Sequence, residues 1–473
     1  MATDNPFCKI PGEIWLRVFR AYITEAQQFL NWHDSPFPPF TLSAVCQDWR
    51  KVALTNSVVW DKILVVLPDV YADDEGEDED SEVVRRFRRY INQVELWIKR
   101  AGDRLLSINL TSKDPVFSFG FDCPAAKLVP QLVVKHASRI KELDLIVSTD
   151  WYDILNGAEF PNLQTLRLAI VDVTQQDNEC EISVDFRDPV SASSLDLTKC
   201  PKLSIVELDG GFDHTNIVLP WSQITDISLR YLIPSDCAQV FDRLPNLKRC
   251  ALGLALCLDS DDSADLDGSE EIERRDEPHI EDLELDEMLP GTAEIILKSL
   301  PLSVKHLLLG SVLKDGDHRF LLETIPTFGE TLQSLTIRHT FQDYDAIREL
   351  LPKLPGLTSV EIAIPGGLDN RLAHLLSTPG VLPRLQSLKI VDFGPTRMGD
   401  EALLDLLRHR VTGDIGCDKL KVIYLRLPGS LKQVNLAGET LKELRRMLAE
   451  GLDISVYDAS INDRSNTNLV LRQ

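Results

Sequence analysis

No apolar run in the 473 residues reaches the about 18 positions of a membrane-spanning helix, and nothing near the first residue reads as a secretory signal. The nine cysteines are odd in number, and none stands in a Cys-x-x-Cys pair. That excludes a disulfide framework and the usual zinc spacing, and it sets the expectation of reduced thiols in cytosol or nucleus. Positive charge is also short: 50 basic residues face 74 acidic ones, a formal charge of −24. Nucleic acid and anionic membrane surfaces are therefore poor partners. Phosphate-loop, His-Glu-x-x-His and Gly-x-Ser-x-Gly motifs are absent. A calcium loop around Gly268 fails because Ser263 would be its first ligand and Arg274 its last. The nine histidines are dispersed. No catalytic residue, cofactor or metal is expected, and the chain is read as a non-enzyme.

What the chain has in abundance is one phrase, Leu-x-x-Leu-x-Leu behind a proline or polar residue. It reads Leu163/Leu166/Leu168 after Pro161, Leu203/Val206/Leu208 after Pro201, and Leu247/Cys250/Leu252 after Pro245. It returns as Ile280/Leu283/Leu285 after Pro278, Leu357/Val360/Ile362 after Pro355, and Leu385/Leu388/Ile390 after Pro383. Weaker copies are Leu105/Ile108/Leu110, Ile140/Leu143/Leu145, Ile224/Ile227/Leu229, Val304/Leu307/Leu309, Leu332/Leu335/Ile337 and Leu420/Ile423/Leu425. From Leu203 onward most steps between first slots are 21 to 28 residues, with longer ones of 33 and 35. A period of roughly 20–29 residues is that of the leucine-rich repeat.

The second and third slots alternate with polar residues, so they share one face of a short strand. The segments between phrases carry helical spacing, as in 237–244, 345–351 and 401–407. Strand followed by helix, repeated, predicts an α/β solenoid: a curved parallel sheet with strands on the concave side and helices on the convex side. Such a stack presents broad surfaces rather than pockets. The residues between and after the strand leucines face the concave side. Glu207, Asp209, Glu284 and Asp286 would form an acidic centre there. Arg338, Lys389, Tyr424 and Arg426 would form a basic, aromatic end. Two acidic runs, 73–80 and 259–277, lack apolar period and read as solvated loops. Between them Val84, Phe87, Ile91, Val94 and Ile98 step by three and four, a helix expected to cover the open end of the first repeat. Arg85, Arg86, Arg88 and Arg89 would lie on its solvated face.

The first sixty residues differ. Ile10-Pro11-Gly-Glu13-Ile14 opens a helix with the apolar stripe Ile14, Trp15, Val18, Phe19 and Tyr22. After a loop rich in aromatics and proline, a second helix is predicted from Thr41, an N-cap, with Leu42, Val45, Cys46, Trp49, Val52 and Ala53 on one face. A third short element ends at Trp60. This pattern resembles the F-box motif. Leu96-Trp97-Ile98-Lys99-Arg100-Ala101-Gly102, with Leu105, Ile108 and Leu110 behind it, resembles the segment after the F-box in mushroom-type F-box proteins. The loop between the first two helices is longer than in most of that family.

The resemblance implies an N-terminal three-helix F-box over 1–66; with the patterns above, an acidic linker at 67–82, a capping helix at 83–104, and a leucine-rich-repeat solenoid over 105–473 with an acidic insert at 258–277 are expected to follow. The resemblance also implies a Skp-type adaptor and a cullin–RING ubiquitin ligase as partners, with a protein substrate held by the repeats. By position, adaptor contact falls to Pro11, Ile14, Leu42, Val45, Cys46, Trp49 and Trp60; Trp49 and Ile14 fit the domain's own core equally well. A substrate crossing the concave face would be bipolar, its cationic part at the acidic centre. The other reading is a repeat scaffold whose helical N-terminus is only a structural cap.

Overall fold

The computed structural model describes residues 10–28, 38–67, 82–112, 124–148, 151–171, 194–210, 216–232, 240–254, 280–286, 293, 296–297, 303–310, 319–338, 344–363, 369–391, 400–412, 417–427, 438–449 and 452–458. Both acidic runs lie outside the described residues. The chain forms two compact units, one ending at Thr225 and one beginning at Asp226.

In the first unit, helices α1 (Gly12–Gln28), α2 (Pro38–Val45) and α3 (Gln47–Thr55) lead into strand β1 (Lys62–Leu67). Then come α4 (Glu82–Arg100), β2 (Leu106–Ser112), α5 (Leu128–Lys135), β3 (Ile140–Ser148), α6 (Tyr152–Leu155) and β4 (Thr165–Val171). The unit closes with β5 (Leu195–Asp196), β6 (Ile205–Asp209) and β7 (Ile217–Val218). Strands β1, β2, β3, β4 and β6 lie side by side in chain order, all parallel. Short β5 and β7 pair separately.

The second unit is a parallel run in chain order: β8 (Asp226–Leu232), β9 (Arg249–Leu254), β10 (Asp282–Asp286), β11 (His306–Leu309) and β12 (Ser334–Arg338), then β13 (Ser359–Ala363), β14 (Ser387–Val391), β15 (Val422–Leu427) and β16 (Asp453–Asp458). Among the described residues of the connections are the helices Tyr344–Leu350, Asn370–Ser377 and Asp400–Thr412. Parallel neighbours need such crossovers. Each of the twelve phrases falls on a strand, and the architecture is that of a leucine-rich repeat.

Besides the short β5–β7 pair, two strands lie beyond those phrases, β1 and β16. β1 sits inside the segment expected to be wholly helical, so the sheet starts at Lys62 rather than at residue 105. Helix α4 therefore connects two paired strands instead of capping a free edge. Its stripe is as expected: Val84, Phe87, Val94 and Ile98 are buried, with Trp97 added.

The three slots of each phrase hold the core. Leu283, Leu307, Leu335, Val360, Leu388 and Ile423 stand in one row across six strands, all buried. Burying each such side chain stabilises by about 1.5–3 kcal/mol. The first phrase departs from the pattern. Leu105 is 44% exposed, and a register shift between Leu106 and Ser107 places Leu106, at 0%, against Ile140. The extra residue of the bulge moves the slot by one.

Among the described residues, one charged side chain sits wholly inside. Arg410 is 0% exposed, and its guanidinium donates to the carbonyls of Leu376 (2.6 Å), Val381 (2.6 Å) and Leu382 (2.9 Å). Its helix thereby ties down a loop of the preceding repeat in which Gly380 and Leu382 take positive φ values of 80° and 47°. Burial pulls the Arg410 pKa down from the ordinary arginine value.

The bulge generates a direct test by urea denaturation of the full chain. Leu106→Ala is expected to cost about 2–5 kcal/mol, while Leu105→Ala stays within about 0.5 kcal/mol of wild type. The reverse order would restore the unbulged register.

Candidate functional site

The helical cluster is positioned by its aromatics. Trp15 and Phe19 on α1 meet Trp49 of α3 at tilted angles, their ring centroids 4.9 and 5.0 Å from that of Trp49. Trp15, Phe19 and Ile23 recur every four residues, and Phe19 and Ile23 are buried at 0% and 4%. One residue round the helix, Ile14, Val18 and Tyr22 form a second apolar ridge, exposed at 44%, 44% and 36%. The sequence stripe thus divides into a packed ridge and an open one, and Ile23 completes the packed one.

The long second helix is broken. Cys46 is extended (φ −156°, ψ 172°), ends α2 at Val45 and caps α3, its Sγ accepting from the Trp49 N–H at 3.4 Å. Arg50 Nε donates to the Ser43 carbonyl at 2.8 Å, satisfying an end of α2. The break turns Val45 outward, at 57% exposure, and leaves Cys46 exposed; Leu54 on α3 is 45% exposed.

Of the residues assigned to adaptor contact, Pro11, Ile14, Val45 and Cys46 are exposed and Trp49 is half-buried under the α1 aromatics. Leu42 (4%) and Trp60 (0%) are core residues, a correction to their place at a surface. The Trp60 indole donates to the Ala53 carbonyl at 2.7 Å. Its ring meets Phe40 and Trp97 edge-on at 5.4 and 6.3 Å, and the Arg100 guanidinium lies 4.5 Å over it. Trp60 thus bonds the helical cluster to α4.

On the first unit's sheet the residues between strand leucines register as Asn109, Asp144, Arg167 and Glu207. Arg167 Nε donates to Glu207 Oε2 at 2.8 Å, and Asn109 Nδ2 to Asp144 Oδ2 at 2.6 Å. Burial pushes the Asp144 carboxyl up to about 6, Arg167 opposing and Glu207 adding to the shift. Glu207 and Asp209 belong to this unit, whereas Glu284 and Asp286 belong to the second.

In the second unit the corresponding row runs Ser228, Ala251, Glu284, Leu308, Thr336, Glu361, Lys389 and Tyr424. Glu284 is half-buried between Ala251 and Leu308. Asp286 reaches over Gly310, where an added Cβ would collide with its carboxylate. The basic end is largely self-compensated. Glu361 lies between Lys389 (3.0 Å) and Arg338 (3.9 Å), and the Lys389 ammonium lies 5.2 Å from the Tyr424 ring centre. Glu361, which stands in the same row, neutralises part of the end that Arg338, Lys389, Tyr424 and Arg426 are expected to make basic. Arg426 lies on β15 opposite Val391, its side chain outside the described residues.

Among the described residues, no group of three or more His, Cys, Asp and Glu could hold a metal ion, and no helix is long and apolar enough to cross a membrane. What the rows offer chemically is hydrogen bonding and charge pairing.

No family model and no curated protein matches the chain. Among solved structures it is similar to the leucine-rich repeat-containing protein LegL7 from Legionella pneumophila, with 14% identity, TM-score 0.35, and coverage of 67% of this chain and 91% of that one. It is also similar to a chain of the TLR13–ssRNA13 complex, with 12% identity, TM-score 0.33, and coverage of 71% and 40%. The fold itself is given by the parallel strand register.

Asp144 gives a pH test with a definite sign. Its folded value lies above the ordinary 3.8, so the folded chain holds the proton longer and loses stability as pH rises from about 4 to about 6. Asp144→Asn removes that loss. At pH 7 the variant is expected to be more stable than wild type by about 1–3 kcal/mol, and near pH 4 equal to it, in chemical denaturation.

Proposed function

We propose that the chain is a non-catalytic substrate-recognition subunit of an SCF-type cullin–RING ubiquitin ligase. In this reading α1, α2 and α3 bind a Skp-type adaptor, the sheet rows bind a protein substrate, and the complex works in cytosol or nucleus. The observation that carries it is the open ridge Ile14, Val18 and Tyr22, beside a packed ridge that already holds the helix in place. Three large apolar side chains in line, with Val45 and Leu54 exposed on the neighbouring helices, call for a covering surface. Helices laid against helices are the natural cover for ridges spaced by four.

A second reading, in which the helical cluster only caps a repeat scaffold, draws support from Trp60. Through Phe40 and Trp97 that residue joins the cluster to the first strand–helix repeat, as a cap requires.

Binding of the purified full chain to a purified Skp-type adaptor separates the two. Val45→Asp and Ile14→Asp, at sites too exposed to threaten folding, are each expected to weaken binding by about 2 kcal/mol or more, roughly 30-fold. A folded wild type that does not bind leaves the cap reading. Trp60→Ala is unsuitable as a contact probe because it opens the core. For the substrate side, charge reversal at Glu284 and at Arg426 is expected to weaken capture of the bipolar substrate; unchanged affinity in both would remove those positions from the binding row.

A further inference from the structure

The polar row of the first unit holds one group whose hydrogen bonding is incomplete. Asn109 spends its amide on Asp144, but its Oδ1 is shut off from solvent and has no hydrogen-bond partner among the described residues. Buried acceptors without donors are costly and rare. On the β1 side the register neighbour of Asn109 is Leu64, apolar and buried, which has nothing to donate. On the β3 side stands Asp144. Ionised, a carboxyl only accepts; protonated, it gains one O–H donor while its other oxygen goes on accepting. A carboxylic acid facing a primary amide can therefore complete both groups at once.

The remaining charged neighbours are already engaged. Arg167, next to Asp144 on β4, is held by Glu207 of β6 at 2.8 Å. Glu142, two residues back on the same face, accepts from Ser107 of β2 (2.9 Å) and Lys141 (3.1 Å), with Lys62 of β1 adding positive charge nearby. On β2 the register neighbour of Asp144 is the uncharged Asn109.

We propose that Asp144 and Asn109 form a proton-dependent pair that sets the charge of this row. With the proton on, the Asp144 hydroxyl donates to Asn109 Oδ1, Arg167 stays with Glu207, and the three ionisable groups sum to zero. With the proton off, Asn109 Oδ1 loses its donor, two carboxylates compete for one guanidinium, and the row carries one net negative charge. The upward push on Asp144 from burial sets this exchange close to neutral pH. A cationic ligand on this face is then held more tightly above the transition than below it. The pair does not depend on the ligase reading.

The test is a pH titration of the full-length chain labelled with 13C at aspartate carboxyl groups only. The Asp144 signal is the one missing from Asp144→Asn, or from Asp144→Ser should the first variant not fold. Its midpoint is expected near 6. The Asn109 side-chain amide, assigned by its loss in Asn109→Ser, is expected to shift with the same midpoint. An Asp144 midpoint near the ordinary value of about 4, or an Asn109 amide that ignores the transition, overturns the proposal. In the wild type alone, the absence of any aspartate signal titrating between about pH 5 and pH 7 overturns it without a variant.

Discussion

The structure depends on one constraint: a strand of this sheet cannot satisfy its own peptide groups. In the second unit, from β10 to β15, the amide just ahead of each strand donates to the carbonyl just ahead of the strand before it. Glu281 donates to Lys248, Lys305 to Glu281, Gln333 to Lys305, Thr358 to Gln333, Gln386 to Thr358 and Lys421 to Gln386, at 2.7 to 2.8 Å. Behind that line stand the rows of buried leucine, isoleucine and valine. A single repeat would expose both its apolar strand face and its peptide edge, so neither can be protected except by another repeat. The same register that pairs the backbone also stacks the polar residues, which is why each outward row is a straight sequence of side chains one strand apart.

That requirement reaches into the N-terminal helices. β1 needs a helix to return the chain to β2, and α4 supplies it with Val84, Phe87, Val94, Trp97 and Ile98 turned inward. Trp97 then becomes part of the floor on which Trp60 and Phe40 rest. The helical cluster is not an appendage on a linker but the first layer of the repeat stack, held by three aromatic rings and the Arg100 guanidinium. Because these inner contacts fix the helices, the outer ridge of α1 is spare. It adds nothing to the core, yet it is as apolar as the ridge that does.

The repeat was legible in the sequence because a period-two alternation inside a period of about 25 residues leaves few other folds. The strands at all twelve phrases follow from it. What escaped the pattern did so for identifiable reasons. β1 and β16 occur where the phrase is degenerate: Ile63 and Leu64 follow Trp60 without the leading proline or leucine. The Leu105–Leu106 slip is hidden because two adjacent leucines make either choice fit the spacing, and only the bulge decides. The break at Cys46 leaves helical spacing intact on both sides, so periodicity passes straight through it. Arg410 had a visible sign, a charge at the next turn of the stripe Leu403, Leu406 and Leu407, but its acceptors are carbonyls, which no sequence pattern displays. Trp60 was placed at a surface by resemblance, whereas its neighbours Phe40 and Trp97 are 20 and 37 positions away and could be joined only by folding.

The outward rows obey different physics from the inward ones, and this bears on what they can do. The pairs Arg167–Glu207 and Lys389–Glu361 are partly exposed, and such pairs contribute about 0–1 kcal/mol each. They do not hold the sheet together; the leucines behind them do. At these partly exposed pairs the charges can change with little effect on the fold, unlike at the more buried Asp144. Such a row also resists non-specific attraction, because a ligand must offer Glu361 or Arg167 a better partner than the one beside it. Glu284 is the contrast: its register neighbours are Ala251 and Leu308, which offer no charge. Specificity on such a surface comes from where compensation is missing rather than from the total of one sign. A net charge of −24 over the whole chain therefore says less about recognition than the single row position at which an acid has been left between an alanine and a leucine.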